Sequence, residues 1–344
     1  MRERLFLLIV VVMVMAMATD PVLAQGTKSQ AKAALPRSIT LGTHAVGSVV
    51  FAVGSGVASV LTKHSGMEVV VSPHPGPVAW VGKMAQGEIE LGIANEAEVR
   101  WMYDGLEGYK PRGPSPQVRM LRVGHDSEQG IMVPANSTIK TIHDLKGKKF
   151  AWPVAGMASY NNNALCYLAM IGLTGKDIIS VPAESFAAAG RLLMENKAEV
   201  FIAGPESSIA REIQEAKGGI RFIPALTDSK AVAAAYKVHP GRITYLQPGR
   251  PGVTVPTPSW AFSAYLVSWS TVPDAIPYQA VKTLWDKYSD LAPIHVELKK
   301  WSNERSIGPD FSIPVHPGAI RFYKEKRIWT PEMEARQARL LAGK

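Results

Sequence analysis

The feature that most constrains this chain is a strand, a small-residue turn and an apolar helix in direct succession. The apolar run at 39–41 leads into the turn Gly42-Thr43-His44-Ala45. After Gly47, apolar residues recur at steps of mainly three and four as far as Leu61, and such spacing predicts a helix that buries one broad stripe. The start of that helix offers unpaired backbone N–H groups and a positive dipole end, so the turn is either a candidate anion site or an ordinary buried connection.

The same arrangement occurs a second time. A strand at 148–152 is followed by a small-residue turn at 153–156 and by a helix at 159–171. The segments 86–95 and 195–204 also match each other, since each has a helix end, a charged turn and a buried strand. This internal similarity predicts two similar lobes, each of which offers a helix N-terminus and a strand end to a shared cleft.

Polar residues stand where the buried strands of the two lobes stop. The strand at 91–94 ends at Asn95 and Glu96, and its counterpart in the second lobe stops at Gly204 and Glu206. Open α/β sheets place ligand groups just past strand ends, so these four residues are candidates for ligand binding. For Glu96 the alternative is a surface acid with no ligand.

The N-terminal segment has the pattern of a secretory signal peptide. Arg2 and Arg4 precede an apolar run at 5–18, and Val-Leu-Ala at 22–24 leads to a polar residue. This pattern predicts a signal peptide over residues 1–24 and cleavage after Ala24. Because the apolar run is shorter than the roughly 20 residues that a bilayer-spanning helix needs, we expect a soluble protein exported to the periplasm.

Length and composition favour two domains and exclude some partners. A chain of 344 residues is longer than one hydrophobic core usually holds. The formal net charge is +9, but the lysines and arginines are scattered rather than interleaved with aromatic residues, which argues against a nucleic-acid partner. The single cysteine, Cys166, excludes an intrachain disulfide. We expect a monomer whose ligand is a small acidic molecule.

The sequence contains no catalytic or metal-binding pattern. There is no Gly-x-Ser-x-Gly elbow and no His-Glu-x-x-His pair, and the histidines are isolated single residues without ligand spacing. Gly42, Gly47 and Gly54 do not have the spacing of a dinucleotide-binding loop. We therefore expect neither an enzyme nor a cofactor nor a metal site.

Three segments resemble the solute-binding proteins of the TAXI branch of tripartite ATP-independent periplasmic (TRAP) transporters. They are the glycine-rich segment 42–51, the segment 144–148 with the sequence Asp-Leu-Lys-Gly-Lys, and the closing segment 313–325. The resemblance covers nearly all of the mature chain. At 75–80 and 155–159 this chain replaces the family's small hydroxyl residues with larger or apolar ones, so the resemblance does not extend to the family's amino-acid ligands.

The resemblance implies the fold and the function. The expected fold is α/β, a two-lobed periplasmic binding protein of type II-like architecture, with two discontinuous domains and a ligand cleft between them. Lobe 1 is expected at 37–127 plus 260–344 and lobe 2 at 128–259. The resemblance implies that the protein captures a small solute and delivers it to an ion-gradient-driven TRAP membrane permease. The two helix N-termini expected at the cleft predict that this solute is a small organic anion with at least one carboxylate. The alternative is a periplasmic ligand sensor or scavenger that is coupled to no transporter.

The residues expected to bind the ligand lie in the small-residue turns, near the cleft strands or at the strand ends. They are Thr43, His44, Gly47, Ser48, Phe51, Trp80, Asn95, Glu96, Trp152, Gly156, Ser159, Gly204 and Glu206. Trp80 and Trp152 either stack on an apolar part of the ligand or belong to the core. His44 either donates to an anion or is a structural hydrogen-bonder.

Overall fold

The computed structural model of the protein describes residues 34–343, so the predicted signal peptide at 1–24 lies outside the described residues. The strands are β1 (Ser38–Thr43), β2 (Glu68–Pro73), β3 (Leu91–Asn95), β4 (Val118–Pro134), β5 (Lys149–Phe150), β6 (Ile179–Ser180), β7 (Phe201–Ala203), β8 (Ile220–Ile223), β9 (Arg242–Leu246) and β10 (Thr257–Trp269). The α-helices are α1 (Val49–His64), α2 (Pro77–Gln86), α3 (Glu96–Asp104), α4 (Ala158–Met170), α5 (Phe186–Met194), α6 (Ser208–Ala216), α7 (Ser229–Val238), α8 (Ala275–Asp286), α9 (Tyr288–Leu291), α10 (Pro317–Glu325) and α11 (Pro331–Leu341). None of the helices within 34–343 combines the length and the hydrophobicity that a membrane span requires.

A mixed sheet organises the described chain. Its strand order is β2-β1-β3-β10-β4-β7, with β8 paired to β4 and β9 paired to β10. β1 is parallel to β2 and β3, whereas β10 is antiparallel to β3, β4 and β9. The parallel pairs are joined by α1 and α2, as the crossover between parallel strands requires. A separate parallel pair is formed by β5 and β6.

Two hydrophobic cores lie along this sheet. The first core draws its buried residues from 39–121 and 264–333, and the second from 131–262. β4 and β10 contribute to both cores, so the chain passes from one to the other twice. The cores give the two-lobed α/β arrangement that the sequence predicts.

The predicted apolar stripe of the opening helix is its buried face. Val53, Val57 and Leu61 of α1 are fully buried against the first core. The helix begins where Ser48 caps it, because the Ser48 hydroxyl accepts a hydrogen bond of 3.2 Å from the Phe51 N–H. The glycine turn is thereby fixed at the N-terminus of α1, as the sequence indicates.

The glycine at the end of the first strand makes room for a tryptophan. A side chain at Gly42 would bring a Cβ within 3.2 Å of the Trp80 ring, and one at Gly92 would bring it within 2.6 Å. These two glycines lie opposite each other on the neighbouring strands β1 and β3. Trp80 is therefore enclosed by the first core with no exposed surface, and Gly42 is needed for packing.

Candidate functional site

A small cavity, which we call the interlobe cavity, lies between the two cores. Its volume is about 40 Å³, or room for about three water molecules at the ~10–15 Å³ that each needs on this measure. It is lined by His44, Ser48, Val49, Val50, Pro75, Asn95, Glu98, Ser127, Gln129, Met157, Ser159, Tyr160, Asn163, Phe186, Gly204, Ser207 and Phe262. Both lobes and both linking strands contribute to this lining, so a ligand held there would touch each of them.

Two long helices start at the interlobe cavity. Val49 and Val50 belong to the first turn of α1, and Ser159 and Tyr160 to the first turn of α4. First-turn N–H groups have no partner inside their own helix, and each helix dipole places partial positive charge at the same end. The Ser48 hydroxyl is already used, since it donates to the Ala45 carbonyl at 2.7 Å and caps α1. At the start of α1, the groups left to bind an anion are therefore backbone N–H groups rather than the Ser48 hydroxyl.

A hydrogen-bonded chain joins the two lobes at the cavity wall. Asn95 Nδ2 donates to Ser159 Oγ at 3.1 Å, and Ser159 Oγ lies 3.2 Å from His239 Nε2. His239 Nδ1 is 3.1 Å from the Pro240 carbonyl, which can only accept, so Nδ1 carries the proton and Nε2 accepts from the serine hydroxyl. Burial lowers the pKa of His239 to about 4, which keeps the ring neutral near neutral pH.

A buried carboxylate faces the same cavity. Glu98 Oε2 lies 3.1 Å from His44 Nε2 and accepts from the Asn95 N–H at 3.3 Å. Both side chains are almost fully buried, and this short contact is not a hydrogen bond, so His44 Nε2 has no hydrogen-bond partner among the described residues. The carboxyl group that lines the cavity is therefore that of Glu98.

Glu96, the predicted acid, is directed elsewhere. It lines a separate groove of about 290 Å³ together with Arg242 and Arg305 and is hydrogen-bonded to Tyr265. Burial raises the pKa of Glu96. It does not line the interlobe cavity, because successive helical residues are about 100° apart and Glu96 and Glu98 therefore leave α3 on different faces.

Three buried polar atoms of the cavity lining have no hydrogen-bond partner among the described residues. They are His44 Nε2, Asn95 Oδ1 and Asn163 Oδ1. Asn163 is only 1% exposed. An unpaired buried polar group costs roughly 1–3 kcal/mol, so a ligand that hydrogen-bonds to these atoms would recover that free energy. Such a ligand needs donor groups for the two amide oxygens as well as acceptors for the helix N–H groups.

The predicted site residues divide into two groups. Those that line the interlobe cavity are His44, Ser48, Asn95, Ser159 and Gly204. Those that do not are Thr43, Gly47, Phe51, Trp80, Glu96, Trp152, Gly156 and Glu206.

The two tryptophans are engaged by protein groups. Trp80 belongs to the first core. Trp152 donates from Nε1 to the Asn161 carbonyl at 3.1 Å and packs against the second core. Gly156 touches the other lobe, where a Cβ would meet Pro75 at 2.9 Å.

Glu206 belongs to an ion-pair cluster around Arg250, beside the cavity. Arg250 Nε donates to Glu206 at 2.7 Å and Arg250 Nη2 to Glu297 at 3.0 Å, while Nη1 pairs with Glu128. Lys300 lies 3.4 Å from Glu128 and 3.0 Å from Glu297. Because Glu206 follows a second-core strand and Glu297 lies beside first-core residues, Arg250 connects the two sides of the molecule.

Several lining residues were missed by the sequence analysis. Glu98 could have been found, because Asn95-x-x-Glu98 is the pattern of a helix N-cap followed by an acid at the third position. Asn163 was missed as well. Its side-chain oxygen has no hydrogen-bond partner among the described residues, whereas the side-chain amide of Asn161 makes two hydrogen bonds to the Val154 backbone, at 2.8 and 2.9 Å. No sequence signal distinguishes these asparagines.

No group of three or more His, Cys, Asp or Glu within residues 34–343 could hold a metal ion.

Comparison with known proteins gives a family and a fold. Residues 41–326 match the NMT1-like family. PhnD1 from Prochlorococcus marinus in complex with methylphosphonate is 10% identical at a TM-score of 0.52, over 88% of this chain and 100% of that chain. Rpa4515 from R. palustris with adipate is 17% identical at a TM-score of 0.51, over 90% and 99%. A structure described as a periplasmic transporter is 15% identical at a TM-score of 0.52, over 88% and 96%. These similarities confirm the predicted two-lobed binding-protein fold.

Proposed function

Because this chain belongs to the NMT1-like family, we propose that it is a periplasmic solute-binding protein that captures a small organic anion between its two lobes. The observation that carries the proposal is the interlobe cavity, into which the N-termini of α1 and α4 converge beside unpartnered buried polar atoms. Two proteins of the same fold are described with organic anions, adipate and methylphosphonate.

The ligand that fits these groups carries a carboxylate together with a hydroxyl or an amine. The helix N–H groups favour the carboxylate. Glu98, Asn95 Oδ1 and Asn163 Oδ1 favour a donor on the same molecule. A hydrogen bond to a charged group contributes about 1.5–3 kcal/mol, so two or three of them supply much of the ~8 kcal/mol of a micromolar complex.

We assign lobe 1 to residues 37–127 plus 260–344 and lobe 2 to residues 128–259. The support is the distribution of buried residues, since the first core uses 39–121 and 264–333 and the second uses 131–262. The lobes close over the ligand by bending where β4 and β10 cross between the cores.

The anion site can be tested by a thermal-shift screen of paired compounds. Each small carboxylic acid is measured beside its amide and its methyl ester, and the acids are expected to raise the melting temperature more than the neutral partners. If the neutral partners stabilise the protein equally, the anion site is refuted and the cavity binds by apolar contact.

A pair of asparagine variants tests the site residue by residue. Asn163→Leu removes an unpartnered amide, so it should leave the melting temperature unchanged or higher and weaken ligand binding about three- to tenfold. Asn161→Leu is the matched control on the same helix and should lower the melting temperature, because it removes two hydrogen bonds to Val154. If Asn163→Leu binds the ligand with unchanged affinity, Asn163 does not belong to the binding site.

We further propose that the ligand-bound protein delivers its ligand to an ion-gradient-driven TRAP membrane permease. It is supported by the resemblance at 42–51, 144–148 and 313–325. Uptake of the labelled ligand into proteoliposomes that contain the permease from the neighbouring genes, with an imposed sodium gradient and no ATP, tests the coupling. Uptake that requires ATP would refute the TRAP assignment, and the absence of permease genes would favour the sensor or scavenger.

Export to the periplasm is part of the same proposal. The predicted signal peptide at 1–24 supports it. The intact mass of the protein from the periplasmic fraction should correspond to a chain that begins near Gln25. A periplasmic protein that retains residue 1 would contradict this reading.

A further inference from the structure

A second cavity lies directly outside the interlobe cavity. This outer cavity has a volume of about 210 Å³ and is lined by the turn at 45–46, the segment 73–75 and the start of α5 at Ser185 and Phe186. Pro75 and Phe186 line both cavities. The two cavities are therefore adjacent and meet at these two apolar side chains.

The polar side chains of the outer cavity are already engaged. Ser185 caps α5 by accepting from the Ala188 N–H at 3.1 Å, and His74 Nε2 is 3.0 Å from the Ser72 hydroxyl. Burial, with a smaller effect of Lys83, lowers the pKa of His74 and keeps its ring neutral near neutral pH. What remains is an apolar surface formed by both lobes.

The lining of the outer cavity includes an exposed valine. Val46 is 60% exposed and follows His44 by two residues in the turn that leads to α1. An exposed valine alone needs no explanation. Here it stands beside an apolar cavity that adjoins a buried polar one, an arrangement that suits a molecule with one polar and one apolar end.

We propose that the outer cavity receives the apolar tail of the ligand whose carboxylate is held in the interlobe cavity, so that the substrate class is an amphipathic organic acid. This inference rests on the proposed function. The interlobe cavity has room for a carboxylate and few further heavy atoms, so a longer ligand extends past Pro75 and Phe186 into the outer cavity. Each methylene group buried there should lower the Kd about fourfold.

The test uses straight-chain 2-hydroxy acids from glycolate to 2-hydroxyoctanoate, each titrated by isothermal calorimetry. The wild-type affinity is expected to rise about fourfold with each added methylene and to level off when the outer cavity is filled. Val46→Asp should weaken the binding of long acids more than that of glycolate and so flatten this dependence on chain length. Val46→Ser, which adds no charge, should flatten it in the same direction to a smaller extent.

The matched control is Val255→Asp. Val255 is 62% exposed, like Val46, but lines neither cavity, so this variant should keep the wild-type dependence on chain length. Equal wild-type affinity along the series, or an equal loss for short and long acids in Val46→Asp, overturns the outer-cavity proposal and leaves the anion site standing. If no acid binds, glycolate included, the proposed function fails together with this inference.

Discussion

Removal of the Arg250 side chain should destabilise the protein strongly. Arg250 is 15% exposed and pairs with three carboxylates, each exposed by less than a tenth: Glu128, Glu206 and Glu297. In Arg250→Met, Lys300 still faces Glu128 and Glu297, while Glu206 keeps only Arg211 at 3.4 Å. Since breaking a buried pair by removing one partner costs about 3–5 kcal/mol, we expect a loss of that size.

The expected change in melting temperature follows from the size of the chain. An unfolding entropy of ~2.1 cal/mol/K per residue gives ~0.65 kcal/mol/K for about 310 described residues. A loss of about 3–5 kcal/mol therefore lowers the melting temperature by about 5–8 °C. Differential scanning calorimetry at low ligand concentration measures this directly.

Three further variants decide whether the explanation is right. Arg250→Lys keeps one positive charge but not the three-way geometry of the guanidinium, so its effect should be intermediate. Glu206→Gln added to Arg250→Met should restore part of the loss, because it removes one unpaired carboxylate. Arg339→Met, at an exposed position of α11, should change little. A decrease of less than about 1 kcal/mol in Arg250→Met, the range of exposed ion pairs, would show that the cluster is solvated and refute the reasoning.

Three other outcomes are expected. Because the folded-state pKa of His239 is about 4 and the unfolded value is about 6.5, the contribution of His239 should lower the free energy of unfolding by about 3 kcal/mol as the pH decreases from about 6.5 to about 4. Urea unfolding at several pH values should show a shallower decrease in His239→Gln, and an identical pH profile would contradict the assignment. Trp80→Phe should lower the free energy of unfolding by about 1–3 kcal/mol and leave the ligand Kd unchanged; weaker binding would place Trp80 in the site. Small-angle scattering should show a smaller radius of gyration when ligand saturates the protein, and an unchanged radius would argue against lobe closure.

The parts of the fold that the sequence predicts are those set by local patterns. The helices at α1 and α4 follow from the apolar spacing after two small-residue turns, and their first turns do meet at the cavity. β4 is harder to predict, because it continues from Val118 to Pro134 through a polar middle that resembles a loop. There Asp126 is paired with Arg242 and Arg305, contacts that lie far away in the sequence.

The direction of individual side chains depends on contacts that the sequence does not reveal. Trp80 is buried because two glycines on different strands leave room for its ring, and that pairing joins residues far apart in the chain. The rule that polar residues follow a strand end selects Glu96, the nearer acid. The rotation of α3 instead turns Glu98 towards the cavity. The sequence thus predicts that a polar residue follows the strand. Which side chain lines the cavity depends on the rotation of the helix that begins there.

The place of β10 in the sheet determines the order in which the protein can assemble. β10 lies between β3 and β4 although it is the final strand along the described chain. The first core therefore stays incomplete until residues 264–333 have been synthesised, while the second core needs only the continuous stretch 131–262. Pairings between distant segments form slowly, so we expect the first core to fold late, after most of the chain has been synthesised.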